Sequence, residues 1–245
     1  MTASPSIKAL KPSTCPVLSR AFLADGGAES LIRREAPNVK VSDAAERATS
    51  LEAFMQSRPS GDLWVFAYGS LIWNPAMKTV ESRRAHLDGW HRSFCLSMLA
   101  GRGSANCPGL ALGLEPGGHC AGVAYKIGEE DITTELPLLW QREMLLGGYL
   151  PKWVELKTEG GDVFGKAIAF VIDESDDLYA GNLSLAAITW RLGTASGSWG
   201  SSADYLFRTR SALRARGISD PYIDRLDCLV RQFVVAQAAA LLTYQ

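Results

Sequence analysis

Histidine is scarce in this chain. Only His86, His91 and His119 occur, without an HExxH or clustered spacing. A zinc site needs several grouped ligands, so no metal centre is expected. The five cysteines, Cys15, Cys95, Cys107, Cys120 and Cys228, form no CxxC pair, and their number is odd. With no signal-like segment at the N-terminus, they read as reduced thiols of a cytoplasmic protein, packed as small hydrophobes. No apolar run reaches the roughly 18 to 20 residues that cross a bilayer. Leu229 to Leu242 reads instead as a C-terminal core helix. Neither sign of charge dominates: 25 Lys and Arg stand against 26 Asp and Glu. That balance gives no electrostatic footprint for nucleic acid or an anionic membrane.

Familiar nucleotide and nucleophile signatures are missing too. GxGxxG fails at GRGSAN, where the sixth residue is Asn106, and no GxxxxGK[ST] occurs. There is no GxSxG elbow, so Ser70 in AYGSL is a poor candidate nucleophile.

What the chain does have is 245 residues at 47% hydrophobic content, enough for one sizeable domain with an appendage. Residues 1–60 are broken by Pro5, Pro12, Pro16, Pro37 and Pro59 and read as an extension. Short helices are expected there around 19–34 and 42–56, the second capped by Ser42 or Asp43. From Asp62 the texture changes, and residues 61–245 read as the catalytic domain. Leu63 to Ala67 is a continuous apolar run, as in a strand buried on both faces. Further strands are expected at 92–98, 110–114, 121–127, 153–157 and 166–172, with turns at Gly101-Arg102-Gly103 and Gly117-Gly118. Helices are expected at 130–146, 201–216 and 220–242, the last as core. Residues 194–202, TASGSWGSS, read as a flexible loop. Strands in the middle and helices at the end argue for an α+β fold.

Two stretches carry chemistry. In VFAYGSLIWNP, a Gly-Ser pair after a buried strand lets backbone N–H groups face a cavity and hold a carboxylate or carbonyl oxygen. An ordinary glycine turn has the same composition. In LPLLWQREMLLGGY, Leu136, Leu139, Trp140, Glu143 and Leu146 share one helical stripe. Glu143 is its only charged member and sits near the helix end signalled by Gly147-Gly148. The macrodipole and apolar neighbours both disfavour its charge and raise its pKa, which suits general acid–base catalysis. The alternative is that Glu143 turns outward or pairs with Arg142.

In order, VFAYGSLIWNP, GRG with CPGLALGLEPGGHCAGVAYKI, LWQREMLLGGYLPKWV and SSADYL resemble blocks of the ChaC-type, glutathione-specific γ-glutamylcyclotransferases, over roughly residues 61–235. The resemblance implies a γ-glutamylcyclotransferase-like mixed β-barrel with surrounding helices and no metal or organic cofactor. It implies glutathione as the small-molecule substrate, converted to 5-oxoproline and cysteinyl-glycine. Carried over, the substrate-binding loop falls on Tyr68, Gly69, Ser70 and Leu71, and the catalytic glutamate on Glu143, followed by Tyr149. An S-x-x-Y-L segment of the wider superfamily places Tyr205 near the site. A second acidic residue matters in some members about nine positions earlier, where this chain has Thr134 with Glu135 beside it. Two alternatives stay open: a cyclotransferase for other γ-glutamyl amino acids or amines, and a non-enzymatic protein that binds and regulates a transporter.

Overall fold

A computed structural model describes residues 18–243; Cys15 and the prolines at 5, 12 and 16 lie outside them. The apolar run expected as a buried strand is β1 (Leu63–Ala67), all five residues buried. A 3₁₀ turn (Ser70–Ile72) leads to two long strands, β2 (Glu81–Met98) and β3 (Gly109–Ile127), paired antiparallel along their length. After α4 (Ile132–Glu143) come β4 (Tyr149–Lys157) and β5 (Val163–Ile172), also antiparallel. β5 returns parallel to β1, Val65 meeting Ile168, and this pairing closes a barrel of order β1-β3-β2-β4-β5. β1 has a strand on each side and all five residues buried, so both its faces are covered, which is why its sequence does not alternate.

The core is aromatic and aliphatic: Phe66, Phe94, Leu110, Leu112, Leu114 and Phe170 are all but inaccessible. Each such side chain contributes about 1.5–3 kcal/mol through burial. Trp140 of α4 extends this core outward. It is 1% exposed, stands edge-on to Phe170 and tilts against Phe54 of α3 (Ala44–Met55).

Several expectations change in the fold. Gly117-Gly118 does not end a strand. Both residues have positive φ, Gly89 opposite them does too, and the ladder passes through an irregularity at Asp88/Trp90, so 110–114 and 121–127 are parts of one bent strand. The strand expected at 92–98 is likewise only the end of β2. The first helix is two, α1 (Arg20–Ala24) and α2 (Gly27–Glu35), interrupted at Asp25-Gly26. α3 starts at the expected Asp43, which makes a capping box with Glu46.

α4 stops at Glu143 rather than Leu146. α5 (Leu185–Thr194) had no expectation. The supposed flexible loop forms a two-residue hairpin, β6 (Ser196–Gly197) and β7 (Gly200–Ser201), because Trp199 at its tip is buried. α6 (Ser202–Ala215) follows as expected. In α7 (Pro221–Thr243), Ile223, Leu226 and Val230 are core, whereas Val234 and Val235 are exposed. Only the first half of that helix is core. Cys95 and Cys120 are buried hydrophobes, but Cys107 is half-buried and Cys228 exposed.

Replacing Trp140 with Ala should cost about 3–5 kcal/mol, because it empties the joint between barrel, α3 and α4. Urea unfolding of the variant checks this, and a loss below about 1 kcal/mol would contradict a core role.

Candidate active site

The turn after β1 is held by side chains where the ladder ends. The Tyr68 carbonyl accepts from Arg92 Nε at 3.0 Å. Arg92 is 4% exposed, and its other nitrogens reach the Ala121 carbonyl and Asp220. Beyond Tyr68 the chain tightens, with Ile72 N–H donating to the Gly69 carbonyl at 3.0 Å and Asn74 N–H to the Ser70 carbonyl at 2.9 Å. The first amides of a helical turn have no partner within it, so the Ser70 and Leu71 N–H groups are left to partners outside the turn. Gly69 is required by crowding: a Cβ there would stand 2.9 Å from the Tyr205 hydroxyl oxygen.

Glu143 is the last residue of α4, and its side chain is 13% exposed. Arg142 Nε lies 2.9 Å from Glu143 Oε1, yet the contact lacks hydrogen-bond geometry, leaving Oε1 buried without a donor. Glu143 therefore lies against Arg142, as one sequence alternative had it, and does not turn outward. Burial pushes its pKa above the ordinary carboxylate value of 4.5, with Arg142 opposing the shift only in part.

Arg142 does more than balance this charge. Its side chain is 3% exposed, Nη2 donates to Ser70 Oγ at 3.0 Å, and Nη1 donates to the Asn74 carbonyl. One guanidinium thus ties the acid to the turn. That hydrogen bond also engages the Ser70 hydroxyl.

Three tyrosines complete the enclosure. Tyr68 donates to the Phe170 carbonyl and Tyr149 to the Leu112 carbonyl, each at 2.6 Å. Tyr205, 6% exposed, stands edge-on to both Trp73 and Phe94. Burial raises all three phenol pKa values, so the hydroxyls stay neutral. Tyr68, Gly69, Ser70, Leu71, Glu143, Tyr149 and Tyr205, distant in sequence, line one inner cavity of about 20 Å³ with Leu112 and Phe170.

That cavity opens toward an outer cleft of about 110 Å³, which shares Ser70, Glu143, Tyr149 and Tyr205 with it. Here the structure adds residues that sequence reasoning passed over. Arg102, from the GRG turn, is 4% exposed and donates to the Ser201 carbonyl at 2.8 Å, but its Nη2 is buried with no hydrogen-bond partner. Desolvation pulls its pKa down. Trp199 Nε1 is likewise buried and unpartnered. A buried arginine inside a glycine turn was the available signal for Arg102; nothing local marked Trp199. Glu135 is elsewhere. It is 1% exposed and holds the Lys78 N–H and Arg20, outside both cavities. Among the described residues, no three His, Cys, Asp or Glu side chains are grouped to hold a metal ion.

Comparison with known proteins places this geometry. A family model described as ChaC-like protein matches residues 63–233. The chain is 42% identical over 192 residues to a glutathione-specific gamma-glutamylcyclotransferase of Escherichia coli (strain K12), covering 78% of this chain and 83% of that one. It is 32% identical over 166 residues to glutathione-specific gamma-glutamylcyclotransferase 1 of Homo sapiens, covering 65% and 75%. In fold it is similar to the crystal structure of a γ-glutamyl cyclotransferase specific to glutathione from yeast, with a TM-score of 0.64 and 20% identity over 71% of this chain and 97% of that one. The fold is thus that of the γ-glutamylcyclotransferases, and the chain belongs to the ChaC-like protein family.

Proposed function

We propose that this chain is a glutathione-specific γ-glutamylcyclotransferase, releasing 5-oxoproline and cysteinyl-glycine. The observation that carries the reading is Glu143 at the junction of the two cavities, with Oε1 buried and lacking a hydrogen bond. Identity of 42% to an E. coli relative of that name supports it.

In this reaction the substrate supplies its own nucleophile. The α-amine of the γ-glutamyl residue attacks the γ-carbonyl carbon, a five-membered lactam closes, and the amide C–N bond to cysteine breaks. Once the α-ammonium has given one proton to solvent to become the free amine, one proton must leave the attacking nitrogen and one must reach the departing amine. Glu143, ionised, takes the first and returns it as the second, so the enzyme ends unchanged. The raised pKa brings carboxyl and amine closer in proton affinity, which eases both transfers. The barrel's main contribution is orientation, since well-aligned intramolecular reactions reach effective molarities on the order of 10⁵ M or more.

The inner cavity is narrow, with room for little more than a water. The γ-glutamyl head therefore lies along the turn, with its scissile bond at Glu143. The amides at Ser70 and Leu71 supply donors for the carbonyl oxygen as it gains charge. The leaving dipeptide then extends into the outer cleft, toward Arg102. A buried guanidinium nitrogen without a partner is a costly arrangement that a substrate carboxylate relieves. γ-Glutamylamines lack that carboxylate, so Arg102 favours a peptide substrate. A reducing, cytoplasmic setting belongs to this reading and is supported by four unpaired cysteines among the described residues. No helix among those residues is long and apolar enough to cross a membrane.

Incubation with reduced glutathione should give 5-oxoproline and cysteinyl-glycine in equal amounts by mass spectrometry. Glu143→Gln should lower turnover by about 100-fold or more while retaining binding. Near wild-type turnover in that variant would remove Glu143 from the mechanism. Arg102→Leu should raise KM for glutathione more than it lowers kcat, with no matching penalty on a γ-glutamylamine. Equal penalties on both substrates would make Arg102 structural.

A thermal measurement tests the proton affinity separately. The folded state holds the Glu143 proton more tightly than the unfolded chain, so ionisation costs stability as pH rises above 4.5 and through the raised value. Across that window the Tm of wild type should fall relative to that of Glu143→Gln. A difference that does not change with pH would contradict the raised pKa.

A further inference from the structure

The wall of the outer cleft facing the barrel comes from a segment that precedes the family match. The match begins at Leu63, whereas Leu18, Ala28 and Ile32 also line the cleft. Ala28 and Ile32 are 1% and 2% exposed and belong to a small apolar cluster, separate from the barrel core, with Leu145 and Trp199. That cluster touches the elements that carry the site. Leu145 is two residues beyond Glu143, and Trp199 lies against Gly101, next to Arg102.

Polar contacts fix the same segment at each of these places. Glu35 accepts from the Gly101 N–H at 2.9 Å. Ser42, after α2, donates its hydroxyl to the Met144 carbonyl at 2.7 Å and its N–H to the Leu145 carbonyl at 2.9 Å. Asn74 Nδ2 donates to the Leu18 carbonyl at 3.3 Å, and Arg20 pairs with buried Glu135. These polar contacts, together with the apolar cluster, are more than a passive tail needs. They hold a surface in register with Glu143 and Arg102.

We propose that α1 and α2 form the specificity wall of the leaving-group pocket, with Ala28 and Ile32 setting the size of the side chain accepted after the γ-glutamyl residue. This rests on the cyclotransferase reading. Glu143 must reach both the α-amine and the departing amine, and those flank the scissile bond. With the γ-glutamyl head along the Tyr68–Leu71 turn and the scissile bond at Glu143, the next residue enters the outer cleft. There its backbone runs toward Arg102, and its side chain meets the apolar face of Ala28, Ile32 and Trp199. A small, uncharged side chain such as a cysteine thiol fits that face; a bulky one collides with Ile32. The extension at residues 1–60 and the unit from 61 onward thus share one binding site.

The experiment uses the full chain carrying Glu143→Gln, so that binding is read without turnover. Calorimetry compares glutathione with S-benzylglutathione, which differs only at that side chain. Ile32→Ala should improve the affinity for S-benzylglutathione relative to glutathione by about tenfold or more, the scale on which apolar pockets discriminate size. Ile32→Val, which keeps the cluster packed, should move the ratio the same way by less. Ala28→Leu should move it the other way. An unchanged ratio in all three variants overturns the proposal even if wild type degrades glutathione. If wild type forms no product from glutathione, the cyclotransferase reading fails instead, and the binding ratios still decide whether Ile32 and Ala28 shape the pocket.

Discussion

One buried guanidinium organises the site, and the rest of the local structure is arranged so that it can exist. Arg142 meets the Ser70 hydroxyl, the Asn74 carbonyl and the Glu143 carboxylate together. A rigid guanidinium fork can donate to two acceptors of the turn while its charge lies against the carboxylate, and lysine cannot. The turn after β1 and the end of α4 are therefore held at one separation, although Ser70 and Arg142 are 72 positions apart in the chain. Arg92 performs the equivalent task on the opposite side, holding Tyr68, Ala121 and Asp220. The cradle is suspended between two arginines.

This arrangement keeps charge in places where folding alone would not put it. Glu143 is enclosed with one oxygen lacking a hydrogen bond, and Arg102 is enclosed with one nitrogen lacking a partner. Each costs stability, because a buried polar group has given up water without full compensation. The two unsatisfied groups have opposite character and stand on the same cleft. A ligand with an ammonium or amide N–H at one end and a carboxylate at the other would satisfy both. Tyr68 and Tyr149 already donate to backbone carbonyls, so they shape the cavity and do not compete for its charge. The barrel tolerates these costs because its apolar core is continuous around β1.

The sequence by itself determined those features that depend on neighbours in the chain. β1 was legible because a strand buried on both faces must be apolar at every position. The Asp43 cap was legible because capping acts within three residues. Glu143 stood out because one carboxylate on a helical stripe is a local anomaly. The ordered motif blocks placed Tyr68 to Leu71, Tyr149 and Tyr205 in one site, and all of them line the inner cavity.

Tertiary structure decided what depends on contacts between distant segments. Gly117-Gly118 reads locally as a turn, but pairing with β2 carries the strand through it, because ladder hydrogen bonds outweigh a local preference for bending. TASGSWGSS reads as flexible, but burial of Trp199 against Gly101 orders it. The later part of α7 reads as core, yet Val234 and Val235 stay exposed. Arg102, Ala28 and Ile32 came to line the outer cleft only through packing. Local sequence fixes which bonds a segment prefers, whereas burial depends on which distant segment reaches it first, and no window of neighbouring residues carries that information.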